Sequence, residues 1–431
     1  MKKINTSPIS GMQELLPKNQ LIFDLLKSKI AETYRKHGYL HIETPIIDRD
    51  EILFAKAGGD TEKQVYRIFK TAETANESDQ ALRFDHTVPL ARYVVEHEND
   101  LTFPFKVTQI ARNFRGERAQ RGRFREFYQC DIDIIGRDNL PLSYDADVIS
   151  TLLTTFDSFN LNTKVLARVS NRKILSGLIE AFNLEEKSKD IYGIIDHSEK
   201  VPFEKTKADF LEIGLSDDNT NMFLDFINIS GSREEVISKL ENLNIKNEKF
   251  NLGLEELNKV INLVELENQN YNIIADMKIV RGLDYYTGTV FEFILPEYKE
   301  IGSVCGGGRY ENLANYFTDQ ILPGVGGSIG LTRLFYVLSE KNLINTSDVT
   351  SLDYALIPLS DNELDFTFRL AKKLRENYSV TTILTDKKLG DKLAYASKIA
   401  KFGIVIGEDE TKTGVLKVKN FLTGEISDFQ I

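Results

Sequence analysis

The first part of the chain carries the hydrophobic spacing of a helix followed by a strand. Apolar residues recur every three to four positions over residues 19–36, which predicts a long helix. Gly38 follows this span, as a glycine commonly does where a helix ends. Residues 40–47 predict a strand that Pro45 interrupts, because proline fits a strand only at an edge or an irregular point.

A strand pair with a long polar tip is predicted further along the chain. Residues 105–114 and 123–135 have the apolar spacing of strands, and the polar residues 115–122 connect them. The composition then changes over residues 171–262, where Lys, Glu, Asn, Leu and Ile recur at helical spacing. We interpret that segment as a helical insertion.

Strand character returns in two short segments, residues 276–280 and 289–295. Towards the C-terminus, strands alternate with helices, which predicts a small α/β domain. The predicted strands are residues 354–358, 380–385, 403–406 and 414–420, and the predicted helices are residues 361–377 and 389–401.

Composition mainly excludes classes of protein. Hydrophobic residues make up 42% and charged residues 28% of the chain, as in an ordinary globular protein. No apolar run approaches the ~20 residues that span a bilayer, and the N-terminus lacks an apolar signal core. The two cysteines, Cys130 and Cys305, lie far apart and fit a reducing compartment, so we expect cytoplasmic localisation.

Charge and histidine spacing narrow the choice of partners. A net charge of −11 argues against a uniformly basic nucleic-acid-binding surface, although it permits a local basic site. The five histidines lack the paired spacing of a zinc site, so we predict no metal ligands in the protein itself.

One face of the second hairpin strand is unusually polar. Side chains alternate along a strand, so the odd-numbered residues share one face. They are Arg123, Arg125, Phe127, Gln129, Asp131 and Asp133. Gln129 and Asp133 lie about 13 Å apart at ~3.3 Å per residue, a span that suits a small amino acid beside a nucleotide. A solvent-facing strand is the alternative.

Positive charge concentrates around the tip of this hairpin. The arginines concerned are Arg112, Arg115, Arg118, Arg121, Arg123 and Arg125. Arginine is the side chain best suited to bidentate contact with phosphate, so a phosphate-binding tip competes with a merely solvated one.

Residues 281–288, with the sequence RGLDYYTG, are the most informative segment of the chain. They place an arginine, a carboxylate and two tyrosines directly before a predicted strand. Such groups suit a small zwitterion or a phosphate better than a hydrophobic core. The alternative is a tyrosine-rich strand end that only packs.

This octet resembles a signature of histidyl-tRNA synthetases, and other motifs of that family occur in the expected order. The similar segments are residues 82–89 (LRFDHTVP), 114–127 (FRGERAQRGRFREF), 305–310 (CGGGRY) and 324–333 (GVGGSIGLTR). A dinucleotide-binding fingerprint is the alternative for the last segment, but Ile329 stands where its third glycine should be.

The resemblance implies a three-part architecture. It implies an α+β catalytic domain with a central antiparallel sheet, of the class II synthetase type, over residues 1–170 and 263–342. Residues 171–262 would form the helical insertion and residues 350–431 a C-terminal α/β anticodon-binding domain. A chain of 431 residues has room for such a division.

The resemblance also implies roles for individual residues. Those that would bind histidine are Asp85, Thr87, Arg115, Gln129, Asp133, Arg281, Tyr285 and Tyr286. Those that would bind ATP are Arg115, Glu117, Phe127 and Arg333. Arg115 and Arg281 would be catalytic, and Arg118 and Gln120 would contact the acceptor end of the tRNA. His86 and Thr332 depart from the family pattern, and His86 is assigned no role.

The implied reaction is ATP-dependent attachment of L-histidine to its tRNA through a histidyl-adenylate, with Mg²⁺ bridging the outgoing phosphates. The resemblance further implies a homodimer, formed through the first helix, where Leu21, Leu25 and Ile30 give an apolar stripe, and the strand that follows.

Two other functions compete with this one. The first is a non-catalytic regulatory subunit of ATP phosphoribosyltransferase, which generally lacks both the RGLDYY signature and the C-terminal domain. The second is a generic RNA-binding protein, which the acidic charge and the lack of a single-strand stacking module disfavour.

Overall fold

The computed structural model describes residues 3–55, 62–71, 78–120, 122–280, 286–311, 314–344 and 352–429. The chain divides into two compact units. The first comprises Met1–Gln13 and Leu26–Ile344, and the second comprises Glu14–Leu25 and Asn345–Ile431. Within the described ranges, no helix is long and apolar enough to cross a membrane.

Helices account for much of residues 171–262 and cover the sheets elsewhere. The α-helices are α1 (Pro17–Lys36), α2 (Asp50–Phe54), α3 (Thr87–Glu96), α4 (Ser143–Ser158), α5 (Arg172–Ala181), α6 (Ser188–His197), α7 (Phe203–Glu212), α8 (Asp217–Ile227), α9 (Arg233–Glu241), α10 (Glu248–Glu267), α11 (Leu331–Glu340), α12 (Leu364–Leu374), α13 (Leu389–Ile399) and α14 (Glu408–Thr413). Short 3₁₀ turns lie at Glu62–Gln64, Glu185–Lys187, Pro296–Ile301 and Asp361–Glu363.

The strands form three sheets. They are β1 (Leu40–His41), β2 (Ile47–Arg49), β3 (Arg67–Ile68), β4 (Gln80–Leu82), β5 (Phe105–Phe114), β6 (Glu126–Ile135), β7 (Leu166–Asn171), β8 (Ser230–Gly231), β9 (Ile273–Asp276), β10 (Tyr286–Ile294), β11 (Cys305–Tyr310), β12 (Gly324–Ile329), β13 (Leu352–Pro358), β14 (Val380–Thr382), β15 (Ala400–Ile406), β16 (Leu416–Asn420) and β17 (Ile426–Phe429).

The largest sheet carries the candidate site and belongs to the first unit. Its strand order is β1-β5-β6-β12-β11-β10-β7-β9-β8. The six strands from β5 to β7 in that order pair antiparallel, whereas β1 with β5 and β7 with β9 pair parallel. The predicted central antiparallel sheet is therefore confirmed, and its edges make it a mixed sheet.

The alternation of β6 separates the core from the polar face of this sheet. Cys130, Ile132 and Ile134 are each 0% exposed, because they point into the core on one side. Gln129, Asp131 and Asp133 point to the other side and line a cavity. One strand thus anchors the fold and presents polar groups to a ligand site at the same time.

The second unit contains a smaller α/β sheet. Its strand order is β14-β13-β15-β16-β17, parallel between the first three and antiparallel afterwards. Two small apolar clusters, one around Leu356 and one around Ile357, pack on its opposite faces. The predicted strand–helix alternation is confirmed, and β17 and α14 were not predicted.

Three local predictions are wrong. Residues 40–47 do not form one strand; the structure has β1, a break around Pro45, and then β2. The strand predicted at 276–280 instead ends at Asp276, whose carboxylate accepts the backbone N–H of Lys278 at 3.0 Å and turns the chain. The apolar stripe predicted on the first helix does not form one exposed face, since Ile30 is 0% exposed and Leu25 is 46% exposed.

Candidate active site

Two adjoining cavities open on the polar face of the large sheet. The larger has a volume of about 1040 Å³ and the smaller about 330 Å³. Five residues line both cavities: Arg115, Gln129, Ser303, Gly306 and Ser328. The site therefore has two compartments that meet at a guanidinium group.

Most of the predicted site residues lie in these walls. Those in the wall of the larger cavity are Asp85, Thr87, Arg115, Gln129, Asp133 and Tyr286. Those in the wall of the smaller cavity are Arg115, Glu117, Phe127, Gln129 and Arg333. The predicted histidine-binding and ATP-binding sets thus fall into different compartments, apart from the shared residues.

The other four predicted residues are not among these wall residues. Arg118 and Gln120 are exposed at the tip of the β5–β6 hairpin and, among described residues, do not occur in either cavity wall. Arg281 and Tyr285 lie outside the described residues.

Glycines in β11 and β12 keep the floor of the larger cavity open. Gly326 pairs directly with Asp133 across the β12–β6 ladder. A Cβ atom at Gly326 would lie 2.1 Å from Asp133 Oδ1, and one at Gly307 would lie 2.1 Å from the carbonyl oxygen of Gly326. Only glycine fits such close approaches, so the glycine run gives the Asp133 carboxylate its space.

Buried carboxylates give the larger cavity its electrostatic character. Asp85, Asp131 and Asp133 are 4%, 5% and 6% exposed. Burial raises the pKa of Asp133 well above its usual range, and the nearby Asp131 raises it further, although a hydrogen bond from the Tyr310 hydroxyl at 3.0 Å acts in the opposite direction. At Asp133 the effect of burial outweighs that of the Tyr310 hydrogen bond, which favours a ligand that brings a proton donor or a cationic group.

Asp85 lies two residues before the start of helix α3 and lines the same cavity. Its carboxylate accepts the backbone N–H of Val88 at 3.2 Å, which fixes the side chain at the helix N-terminus. Burial raises the pKa of Asp85, while the Val88 N–H lowers it. A carboxylate beside the Thr87 hydroxyl is suited to hold an ammonium group.

A chain of hydrogen bonds connects residues that the sequence did not single out. Asn113 Nδ2 donates to Gln129 Oε1 at 2.9 Å, and Gln129 Nε2 donates to Ser328 Oγ at 2.9 Å. The Ser328 hydroxyl in turn donates to Asp131 Oδ1. Asp131 and Ser328 were visible only as members of a polar strand face and of a glycine-rich motif.

Arg115 sits where the two cavities meet. Its Nε donates to the carbonyl oxygen of Phe84 at 3.1 Å, and its guanidinium lies 5.0 Å from the centre of the Phe127 ring. The backbone bond and the ring orient the guanidinium from two sides. A cation fixed between an amino-acid-sized cavity and a neighbouring compartment can stabilise negative charge that develops between two ligands.

The wall of the smaller cavity is built from β6 and the start of α11. Arg333 donates through Nη2 to the carbonyl oxygen of Ile301. The neighbouring Thr332 accepts the backbone N–H of Tyr128 at 2.8 Å. Strand β12 ends at Ile329, so the Thr332 hydroxyl takes over the bond that a longer β12 would give to β6.

The antiparallel sheet, its glycine floor and the paired cavities define the catalytic domain of a class II aminoacyl-tRNA synthetase. The family model for histidyl-tRNA synthetase matches residues 11–334, and the model for an anticodon-binding domain matches residues 353–431. The chain therefore belongs to the histidyl-tRNA synthetase family.

Individual relatives agree with this assignment. The histidine–tRNA ligase of Clostridium tetani is 46% identical over 432 residues, covering 98% of this chain and 96% of the relative. The crystal structure of histidyl-tRNA synthetase from Nostoc sp. PCC 7120 has a TM-score of 0.90 and 36% identity, covering 99% of this chain and 97% of that one.

One structural relative bears on the regulatory-subunit alternative. A Bacillus halodurans protein described as an ATP phosphoribosyltransferase regulatory subunit/histidyl-tRNA synthetase has a TM-score of 0.76 and 21% identity, covering 94% of this chain and 99% of its own. At that identity the likeness shows the fold alone. The ligase relatives and the anticodon-binding match favour the enzyme, so the predicted family, fold class and ligase activity are confirmed.

Proposed function

We propose that the chain attaches L-histidine to its tRNA in two steps at the paired cavities. In the first step the histidine carboxylate attacks the α-phosphorus of ATP, which yields histidyl-adenylate and pyrophosphate. In the second step a ribose hydroxyl of the terminal adenosine of the tRNA takes the acyl group, and AMP leaves.

L-Histidine occupies the larger cavity. Its ammonium group binds the carboxylate of Asp85 and the hydroxyl of Thr87, and Asp133 and Tyr286 contact the imidazole. The raised pKa of Asp133, caused by burial and then by Asp131, supports this placement, since a ligand proton donor would relieve the buried charge. An amino acid without the imidazole leaves these buried polar groups unpaired and is rejected for that reason.

Two further predicted histidine ligands complete this set. Gln129 lies in both cavity walls and faces the histidine carboxylate. Tyr285, which is outside the described residues, is proposed to act with Tyr286 on the imidazole side.

ATP occupies the smaller cavity as its magnesium complex. Phe127 stacks on the adenine, Glu117 lies beside it, and Arg333 reaches the terminal phosphate. Arg115 holds the α-phosphate at the junction, and Arg281 is proposed as the second catalytic cation. Mg²⁺ enters as part of the substrate, and among the described residues no cluster of His, Cys, Asp or Glu could hold a metal ion.

The tRNA uses two parts of the chain. Arg118 and Gln120 are exposed at the hairpin tip and are free to meet the acceptor end. Residues 353–431, which match the anticodon-binding family, read the anticodon. The proposed domain boundaries are those predicted from the sequence, with the insertion at residues 171–262.

A homodimer in the cytoplasm is the proposed working form. Leu40 is 64% exposed, Ile46 45% and Ile47 47%, and the three lie together in sequence at the edge strand β1 and the start of β2. Exposed apolar residues beside an edge strand are a surface that a second copy would cover. Sedimentation at low micromolar concentration should give twice the 49.1 kDa chain mass; a catalytically active monomer would refute this part.

The observation that carries the proposal is the guanidinium of Arg115, which lines both cavities. The test is histidine-dependent exchange of pyrophosphate into ATP. Arg115→Ala should slow the exchange by about 10²–10³, the usual effect of losing one preorganised charge contact. Arg118→Ala should keep the exchange rate while it slows the charging of tRNA.

Three results would contradict the proposal. They are an absence of histidine-dependent exchange in the wild-type protein, an Arg115→Ala rate within a few-fold of wild type, and an equal loss of exchange in both variants.

A further inference from the structure

His86 is a buried residue inside the loop that forms part of the larger cavity. Its neighbours in sequence, Asp85 and Thr87, line that cavity, whereas the His86 side chain is 0% exposed. Within the described part of the chain, neither ring nitrogen completes a hydrogen bond. A buried polar ring in this condition is uncommon and calls for a physical reason.

The nearest charged group to the ring is a carboxylate of the site. His86 Nδ1 lies 3.3 Å from Asp131 Oδ2. An ionised carboxylate only accepts hydrogen bonds, so a favourable contact requires the proton on Nδ1. The distance is slightly longer than a good N–H···O bond, as catalytic contacts often are before substrate binds.

Hydrogen bonds connect Asp131 to Gln129, one of the proposed histidine-binding residues. Its other oxygen, Oδ1, accepts the hydroxyl of Ser328, and Ser328 Oγ accepts Gln129 Nε2 at 2.9 Å. Asn113 holds the opposite end of the Gln129 amide at 2.9 Å. The orientation of Gln129 in the cavity therefore depends on where the Asp131 carboxylate is held.

The loop that carries His86 is held in place independently of its ring. Gln109 Nε2 donates to the backbone carbonyl oxygen of His86 at 3.3 Å, and the Thr44 hydroxyl donates to Gln109 Oε1 at 2.9 Å. Changing the imidazole should therefore leave the backbone of the loop in position. The ring's effect can then be separated from that of the loop.

We propose that His86 is a positioning residue for substrate histidine. When substrate binds, the His86 Nδ1–H donates to Asp131 Oδ2, which fixes that carboxylate between the ring and Ser328 and so presents the Gln129 amide to the substrate. This role rests on the proposed function: His86 belongs to the same site and acts through Asp131, Ser328 and Gln129.

This arrangement also gives two neighbouring carboxylates, Asp131 and Asp133, different roles. With His86 against one oxygen and Ser328 against the other, Asp131 is occupied by protein groups. Asp133 lies two residues further along the same strand face. Among the described residues, the Tyr310 hydroxyl is the one side-chain donor to its carboxylate, so Asp133 can still accept a hydrogen bond from the imidazole of the substrate. A purely apolar residue at position 86 would leave Asp131, which already belongs to the cavity wall, without the His86 donor to Oδ2, so Asp131 would compete with Asp133 for the same cation.

The test compares His86→Leu with His86→Asn in the histidine-dependent exchange reaction. Leucine fills similar space without a donor, whereas the asparagine amide can donate from near the position of Nδ1. His86→Leu should raise the KM for histidine about 10-fold, because one buried acceptor loses its partner, and should leave the KM for ATP within about 2-fold. His86→Asn should recover most of the loss.

A second substitution keeps the inference testable if His86→Leu does not fold. Asp131→Asn leaves one acceptor oxygen where there were two, so His86 Nδ1–H and the Ser328 hydroxyl can no longer both donate to this side chain, and the KM for histidine should rise by a similar factor, about 10-fold. If both single variants fold, the double variant should be no worse than either one, since both break the same contact.

The inference is wrong if His86→Leu binds histidine like the wild type, if the KM values for histidine and ATP rise together, or if asparagine rescues no better than leucine. These outcomes presuppose an active wild-type enzyme. A wild type without histidine-dependent exchange would instead refute the proposed function itself.

Discussion

Gly326→Ala should separate the contribution of the glycine floor to histidine binding from its contribution to folding. Gly326 faces Asp133 across the β12–β6 ladder. A Cβ atom there would lie 2.1 Å from Asp133 Oδ1 and 2.7 Å from the carbonyl oxygen of Ile132. Neither contact is tolerable. Turning the Asp133 side chain away relieves the first contact, whereas the contact with the Ile132 carbonyl oxygen, a backbone atom, also requires a small shift of the strands.

The side chain is the easier group to move. Overpacking a core by a methyl group typically costs about 1–3 kcal/mol, which the strands would bear if they separated. Rotation of Asp133 relieves the closest contact but gives up its 3.0 Å bond to the Tyr310 hydroxyl. It also moves the carboxylate away from the proposed imidazole site.

The magnitude follows from the loss of one hydrogen bond to a charged group. Such bonds contribute about 1.5–3 kcal/mol, and each 1.4 kcal/mol is a factor of ten in affinity, so the KM for histidine should rise by about 10- to 150-fold. The KM for ATP should change far less, because Asp133 does not line the smaller cavity among its described walls.

The assay is pyrophosphate exchange with histidine and ATP varied in turn, together with thermal unfolding. Gly330→Ala is the matched control from the same glycine-rich segment, because the nearest atom to its added Cβ would lie 3.8 Å away. That variant should keep the wild-type KM for histidine and the wild-type stability. A folded Gly326→Ala protein with an unchanged KM for histidine, or a Gly330→Ala protein with the same defect, would refute the reasoning.

Three further substitutions test other parts of the structure. Thr332→Val leaves the backbone N–H of Tyr128 without its 2.8 Å acceptor and should lower the free energy of unfolding by about 1–3 kcal/mol in urea titrations, whereas Thr332→Ser should lose less. Arg168→Met should lower the free energy of unfolding by about 3–5 kcal/mol, because it removes the buried cation that Glu199, Asp276 and Glu292 share, while Lys36→Met, from an exposed pair, should change little. Asp133→Asn should abolish histidine-dependent exchange and yet be more stable than the wild type at pH 8. Burial raises the pKa of Asp133 above its value in the unfolded chain, so the free energy of unfolding of the wild type falls as pH rises above about 4. The difference in stability between the two proteins should therefore vanish near pH 4.

The regular parts of the fold could be predicted because local pattern and environment agree. Strand β5 has the predicted bounds, 105–114, and β6 alternates between apolar and polar side chains as its sequence does. Strand β17 was missed because Ile426, Ser427 and Asp428 are exposed, so no apolar alternation marks it. The strand predicted at 276–280 was wrong because Asp276 turns the chain through a side-chain bond that apolar spacing does not reveal.

The site could be predicted as a set of segments but not as a set of contacts. Sequence order and side-chain alternation place Gln129 and Asp133 on one face. The partners that fix such groups come from distant segments: Tyr310 lies 177 positions from Asp133, and Ser328 lies 197 positions from Asp131. These pairings depend on the strand order of the sheet, which no local pattern specifies.

The free-energy cost of burying three carboxylates in the larger cavity is consistent with a role in substrate binding. Each buried carboxylate is costly unless it is paired, and the raised pKa of Asp133 records that cost in the free protein. A ligand with an ammonium group and a proton-donating imidazole relieves it at the moment of binding, whereas an amino acid with an apolar side chain would leave Asp133 unpaired. The cavity thus gives up stability in the free state in exchange for discrimination between substrates, and Asp133→Asn should reverse both effects together.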